Sequence, residues 1–405
     1  MTLTPGAVAT INAGQFSLAS RSSNGHGEFA ELIAGLATRL TKVNAATVIG
    51  DTDRKATHLT TAPSKVKAFA TGFTWDTGAT GKAGDQAVDY WIPQGITTSA
   101  DAYGSGLYPA GGSNKVVLVA WRFETDPEKG EHYDPNKGMR LTFVDLNTAS
   151  APKYRHVLLV EPVLSGGQYS FDPIRVHAGG IMWYGDLLYV VDTYNGLRVF
   201  DLNTLFEVAT TDKNQCGLQA DGAYQGYAYK YVLPQSHAYD NAGTYLRYST
   251  IGLDRASTPD TLVVSEYSSS GTVDYKDGPF KGSGDGTIPT PKVVRWPLDY
   301  TDRQPASLIA TEAVTVHQSK IQGVVSRKTK HFLSVSAGAT TNGTLRGFTS
   351  GDSSASTVCD LAIGCEDLSY HSSGASGWAY SESVIWNLSE YADKRYVYAV
   401  HADGS

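Results

Sequence analysis

Two hydrophobic patterns divide this chain near residue 57. Before that point, Phe29, Leu32, Ile33, Leu36 and Leu40 recur at three- and four-residue spacing, with Glu28 and Glu31 early and Arg39 and Lys42 late. That period and that order of charge predict one amphipathic helix. Residues 1–27 are mostly small and polar and read as an extended or disordered lead whose first 20 residues are dispensable. After residue 57, short runs rich in β-branched and aromatic residues alternate with Gly, Asp, Asn and Ser turns, the pattern of strand after strand. The expected organisation is a lead over 1–56 with one helix, followed by an all-β domain over 57–405.

The strands fall into units. Each opens with a short strand holding a polar residue beside a Gly and an aliphatic, and a strongly hydrophobic strand follows. The openings are Pro93-Gln94-Gly95-Ile96, Val176-His177-Ala178-Gly179-Gly180-Ile181, Tyr248-Ser249-Thr250-Ile251-Gly252-Leu253, Ile321-Gln322-Gly323-Val324 and Cys365-Glu366-Asp367-Leu368. Third strands end alike, in Val144-Asp145-Leu146-Asn147 and Phe200-Asp201-Leu202-Asn203. The last unit is one strand short, while 66–74 is a strand with no unit of its own. Together they predict a five-bladed β-propeller in which strand 66–74 completes the last blade and closes the ring. Six blades remain the alternative if 204–246 hides a further unit.

These openings and strand ends resemble NHL- and YVTN-type propeller repeats. Tyr248–Arg255, Val293-Val294-Arg295-Trp296-Pro297-Leu298-Asp299 and Cys365–Tyr370 resemble a group of secreted bacterial propellers of unassigned function. The resemblance covers roughly 60–401 and implies the fold and secretion, with no catalytic residue to carry over.

Composition agrees with many tight turns joined by aromatic strands: 42 Gly and 24 Tyr against only 18% charged residues. A net charge of −7 without a Lys/Arg cluster argues against nucleic acid as a partner. No apolar run reaches the roughly 18 residues of a membrane span. The start, Met1-Thr2-Leu3-Thr4-Pro5, has no basic or apolar leader and is read as the start of a mature secreted chain, and a monomer is expected. Of three cysteines, Cys359 and Cys365 bracket a short turn and are expected to form a disulfide, leaving Cys216 free.

Propeller geometry concentrates the candidate chemistry. First strands start, and second strands end, at one mouth of the central channel. The starts contribute Gln94, His177, Gln322, Glu366 and Asp367; the ends contribute Arg122, Asp192, Tyr194, Glu266, Tyr267, Glu390 and Tyr391. Amides and carboxylates bind hydroxyls and Tyr faces stack on sugars, so an extracellular glycan is the expected ligand. Glu266 and Glu390 are candidate paired carboxylates for glycosidic hydrolysis. His177 is a candidate general base of a lyase, assisted by Arg122 and Tyr194. No cofactor is expected other than Ca²⁺, at the mouth or, less favourably, at Asp285. The competing reading is a non-enzymatic scaffold that binds a protein through long loops at 99–114, 124–139, 204–246 and 268–290.

Overall fold

A computed structural model describes residues 5–21, 29–78, 84–124, 136–273, 290–378 and 380–404. Its architecture is a ring of five four-stranded antiparallel blades. The inner strands are Trp91–Thr98 (blade I), Ile181–Tyr184 (II), Thr250–Asp254 (III), Ile321–Arg327 (IV) and Cys365–His371 (V). Each packs against the next, and blade V returns to blade I. The second strands are Val116–Phe123, Leu187–Asp192, Thr261–Ser265, Lys330–Val335 and Val384–Ser389. Phe69–Thr74 is the fourth strand of blade V, pairing with Tyr396–His401 from Thr74 opposite Tyr396 to Phe69 opposite Val400. The count is five and not six, because Tyr231–Gly243, within the unassigned stretch, is the fourth strand of blade II.

Continuous apolar strands follow from where the cores lie. Alternate side chains of a strand point to opposite faces, and here both faces are buried between neighbouring blades. Val117, Val119 and Trp121 enter the core between blades V and I. Val116, Leu118 and Ala120, on the same strand, enter the core between I and II. Four further runs behave the same way, so five inter-blade cores replace one large one.

The recurring glycine of the openings is a spacing device. A Cβ on Gly95 would stand 2.9 Å from Ile181 N, on Gly180 2.5 Å from Ile251 N, on Gly252 2.0 Å from Val324 O and on Gly323 2.8 Å from Glu366 O. Only without side chains can the inner strands approach so closely. Blade V has Asp367 at this position, and its carboxyl occupies the space that the four glycines leave. Oδ2 accepts from Ile96 N and Ile181 N, both at 3.1 Å, and Oδ1 accepts from Thr250 Oγ1 at 2.7 Å. One buried carboxyl therefore joins four blades across the axis and divides the channel.

The lead differs most from its expectation. It interleaves short strands with two short helices. The apolar period yields only two turns, α1 (Ala30–Ala37), before the chain becomes strand at Thr41–Val43; α2 (Ala45–Gly50) adds a short second helix. Val8–Thr10 extends blade III beside Glu312–Val316, and Phe16–Ser20 extends blade II beside Tyr231–Gly243. Phe16 and Leu18 are buried although polar residues surround them in sequence. The segment then reaches blade I at Arg54–Lys55 and blade V at Thr57–His58.

The expected disulfide is absent. Cys359 and Cys365 are both free, as is Cys216. The residues read as a turn between them are strand: Ser356–Ile363 is the outer strand of blade IV. An extended strand places Cys359 about 13 Å from Ile363, well beyond disulfide reach of a partner just past it. Burial pushes the Cys216 and Cys365 thiols up to about 12 and that of Cys359 up to about 11, so all three are inert.

Candidate functional site

The mouth at which first strands start holds a cavity of about 390 Å³. Of the sequence-predicted residues, Gln94, His177, Tyr194, Tyr267, Gln322 and Glu390 line it. Glu366 lies just behind, accepting from Gln322 Nε2 at 2.9 Å, and Tyr391 bonds to the Glu390 carboxyl. Arg122 stands close enough to act on His177, Glu366 and Glu390, while paired with Glu124 at 3.2 Å.

Three candidates are placed elsewhere. Glu266 is fully buried, accepting from Arg247 N at 2.8 Å and from Lys292 N and Nζ at 3.1 Å. It holds a loop and does not reach the cavity. The repeated Ser-Glu-Tyr therefore has two environments: Glu390 faces the cavity and Glu266 does not. Asp367 is the strut across the axis described above, and Asp192 is paired with Arg198 at 2.9 Å. Thr193, Arg247 and Ser249 line the cavity without having been singled out. Ser249 had a signal, since it precedes Gly252 by three residues as His177 precedes Gly180. Arg247 had none.

The electrostatics divide the site into a base and acids. His177 is exposed to the cavity yet surrounded by protein, and partial loss of hydration, with Arg122 and Arg247 adding to it, lowers its pKa to about 4. Its ring nevertheless keeps surface open to the cavity and makes no hydrogen bond among the described residues. It is a neutral, unengaged imidazole. The next residue, Ala178, sits at φ 53, a conformation that non-glycine residues seldom adopt and that is often kept at functional sites. Burial raises the Glu390 pKa against the opposing pull of Arg122, Tyr391 and Gln94, whose Nε2 donates to Oε2 at 3.2 Å. Glu366 is raised well above the ordinary range, first by burial and then by repulsion from Glu390 and Asp367. Two neighbouring carboxyls, held by amides and both raised by burial, thus stand beside a neutral histidine.

No group of three or more His, Cys, Asp or Glu among the described residues is placed to hold a metal ion, and Asp285 lies outside them. No described helix is long and apolar enough to cross a membrane. A second cavity of about 440 Å³ opens at the other end of the channel, beside Asp101, Arg255, Arg327 and Tyr370. It contains none of the predicted residues, and Asp101 is engaged by Thr97 Oγ1 at 2.7 Å and Ser369 Oγ at 2.6 Å.

No family model matches the chain, the NHL and YVTN repeats included, and no curated protein matches it. Among solved structures it is similar to a GH43_1 enzyme from Xanthomonas citri complexed with xylose, at 10% identity and a TM-score of 0.35, covering 93% of this chain and 95% of that one. It is also similar to the RS223 β-xylosidase, at 8% identity and a TM-score of 0.34, covering 76% and 92%. A third is CoXyl43, a β-xylosidase/α-arabinofuranosidase from a compost microbial metagenome in complex with xylotriose in a calcium-free form, at 8% identity and a TM-score of 0.36, covering 78% and 94%. Similarity at this level carries no residue role to this chain, whose chemistry is read from its own cavity.

Proposed function

We propose that the chain binds a glycan in this cavity and cleaves it by acid–base chemistry, with His177 as base and Glu390 as acid. One observation carries the reading: a neutral, unengaged imidazole and a carboxyl whose pKa is raised by burial share a single open cavity. Breaking a bond between a sugar carbon and the bridging oxygen requires a proton delivered to the leaving oxygen and another accepted elsewhere. Tyr194 and Tyr267 offer ring faces to a sugar, and Gln94, Gln322, Thr193 and Ser249 offer amides and hydroxyls to its oxygens. The cavity falls in the size range of small-molecule sites. A polysaccharide substrate goes with a secreted protein acting outside the cell.

A glycan array, followed by a reducing-end assay on every glycan bound, tests the proposal. His177→Ala and Glu390→Gln should each lower kcat by about a hundredfold or more. The melting temperature of His177→Ala should stay within a few degrees, because this ring makes no hydrogen bond. Failure to bind any glycan, with protein capture lost only on shortening the loops 99–114 or 204–246, would favour a protein-binding scaffold instead.

A further inference from the structure

We propose that the ligand is an acidic polysaccharide, its uronate carboxylate held by Arg247 with support from Arg122, and that the bond is broken by β-elimination. The proposal rests on the glycan-cleaving reading of the same cavity and names its substrate class. Arg247 lines the cavity with its guanidinium 5.7 Å from the centre of the Tyr267 ring. Its Nε is buried without a hydrogen-bond partner, and no carboxylate pairs with it among the described residues. Several other buried or half-buried arginines are paired with carboxylates, Arg140 with Asp85 at 2.7 Å, Arg198 with Asp192 at 2.9 Å and Arg295 with Glu312 at 2.9 Å, but none of these lines the cavity. Arg122 Nε is likewise buried and unpartnered, although its Nη1 meets Glu124. The two carboxyls nearest the cavity, Glu390 and Glu366, are bound by the amides of Gln94 and Gln322. Arg122 is shared with Glu124 and acts on Glu390, so Arg247 is the cavity arginine to which no carboxylate is paired among the described residues. A carboxylate seated in the cavity accepts from the guanidinium face that Arg247 presents there in a charge-assisted hydrogen bond, stronger than the bond a neutral sugar hydroxyl would make.

A carboxylate bound there also selects the reaction. Neutralising it acidifies the C–H bond at the adjacent C5. His177 takes that proton, the C–H electron pair forms a C4–C5 double bond, and the C4–O bond breaks. The departing oxygen keeps that electron pair and takes a proton from Glu390. No water is consumed and no oxidant is needed.

The intact chain is assayed on three substrate sets: polyuronates, uncharged xylan and glucans, and sulfated neutral glycans. Binding is followed by calorimetry, and cleavage by ultraviolet absorbance of the conjugated double bond alongside reducing ends. The proposal expects polyuronate binding, with absorbance and reducing ends rising together. Arg247→Met should weaken binding by roughly tenfold to a hundredfold. Arg327→Ala, at the opposite end of the channel, should change nothing. Thermal melts of each variant separate loss of fold from loss of recognition. Cleavage of uncharged glycans, reducing ends without absorbance, or a preference for sulfated glycans would overturn the acidic-substrate proposal while leaving a glycan site in place. Binding to none of the three sets would overturn both.

Discussion

An acid or base facing the channel of this molecule has its pKa moved by its surroundings, and each shift has a measurable pH signature. Catalysis through His177 as base should fail as pH falls through about 4, where the ring, faced by Arg122, Arg247 and Glu124, takes up a proton. The alkaline limit belongs to ionisation of Glu390, which is faced by Arg122, Gln94, Tyr391, Arg395 and Glu366. A bell-shaped kcat profile with its acid limb near 4 is the expected result. Asp101 has a signature in stability instead. Burial raises its pKa from 3.8 to about 6, against the pull of the Ser369 and Thr97 hydroxyls. The folded state therefore holds a proton that the unfolded chain releases between those values. The stabilisation is complete below 3.8 and is lost as pH rises through 6. The two-unit difference corresponds to about 3 kcal/mol. Asp101→Asn, which keeps an acceptor for Thr97 and Ser369, should be the more stable form at pH 8 and should lose its advantage by pH 4 in denaturant titrations.

Among elements, the inner strands show most clearly what the sequence could reveal. Gly95, Gly180, Gly252 and Gly323 mark their openings, and their reason is the approach of the next strand. Gly252→Ala would set a Cβ 2.0 Å from Val324 O and should destabilise by about 3 kcal/mol or more. Gly50→Ala, in α2 with open space around it, should instead stabilise by up to about 1 kcal/mol. Urea unfolding of the pair compares them directly. The same offsets brought Gln94, His177, Gln322 and Glu390 to one cavity, because a position in a repeated unit becomes a position around an axis. They failed for Glu266, whose Ser-Glu-Tyr matches that of Glu390 while Lys292, a partner on another strand, draws it into the protein. Arg247 has an equivalent in Arg175, five residues before Gly180 as Arg247 is five before Gly252, but Arg175 Nε donates to Asn136 O and that residue does not line the cavity, so the offset alone did not mark either. The expected Cys359–Cys365 turn was misread because Asp360–Ile363 continues a strand. Thiol titration of the denatured, unreduced protein should therefore find three free thiols.

At the scale of the whole molecule, the ring is held at three levels: cores between blades, Asp367 across the axis, and the N-terminal segment along the outside. The segment is the level that local pattern conceals. Small polar residues carry no strand period, and Phe16 and Leu18 acquire a reason to be apolar only once blades II and III exist beside them. Removing residues 1–21 should strip Val8–Thr10 and Phe16–Ser20 from those blades and lower the melting temperature by several degrees, where the sequence alone suggested neutrality. That pairing also imposes a timetable. Val8 meets Val316 and Phe69 meets Val400, so both N-terminal strands emerge from the ribosome some three hundred residues before their partners. Throughout that interval they are unpaired edges, open to association with other chains. The first segment waits on blades II and III, whereas Phe69–Thr74 closes the ring only when the last blade arrives. Folding should then be slow and late, with protection of the Val8–Thr10 and Phe69–Thr74 amides appearing only after the blades themselves are protected in pulsed hydrogen exchange.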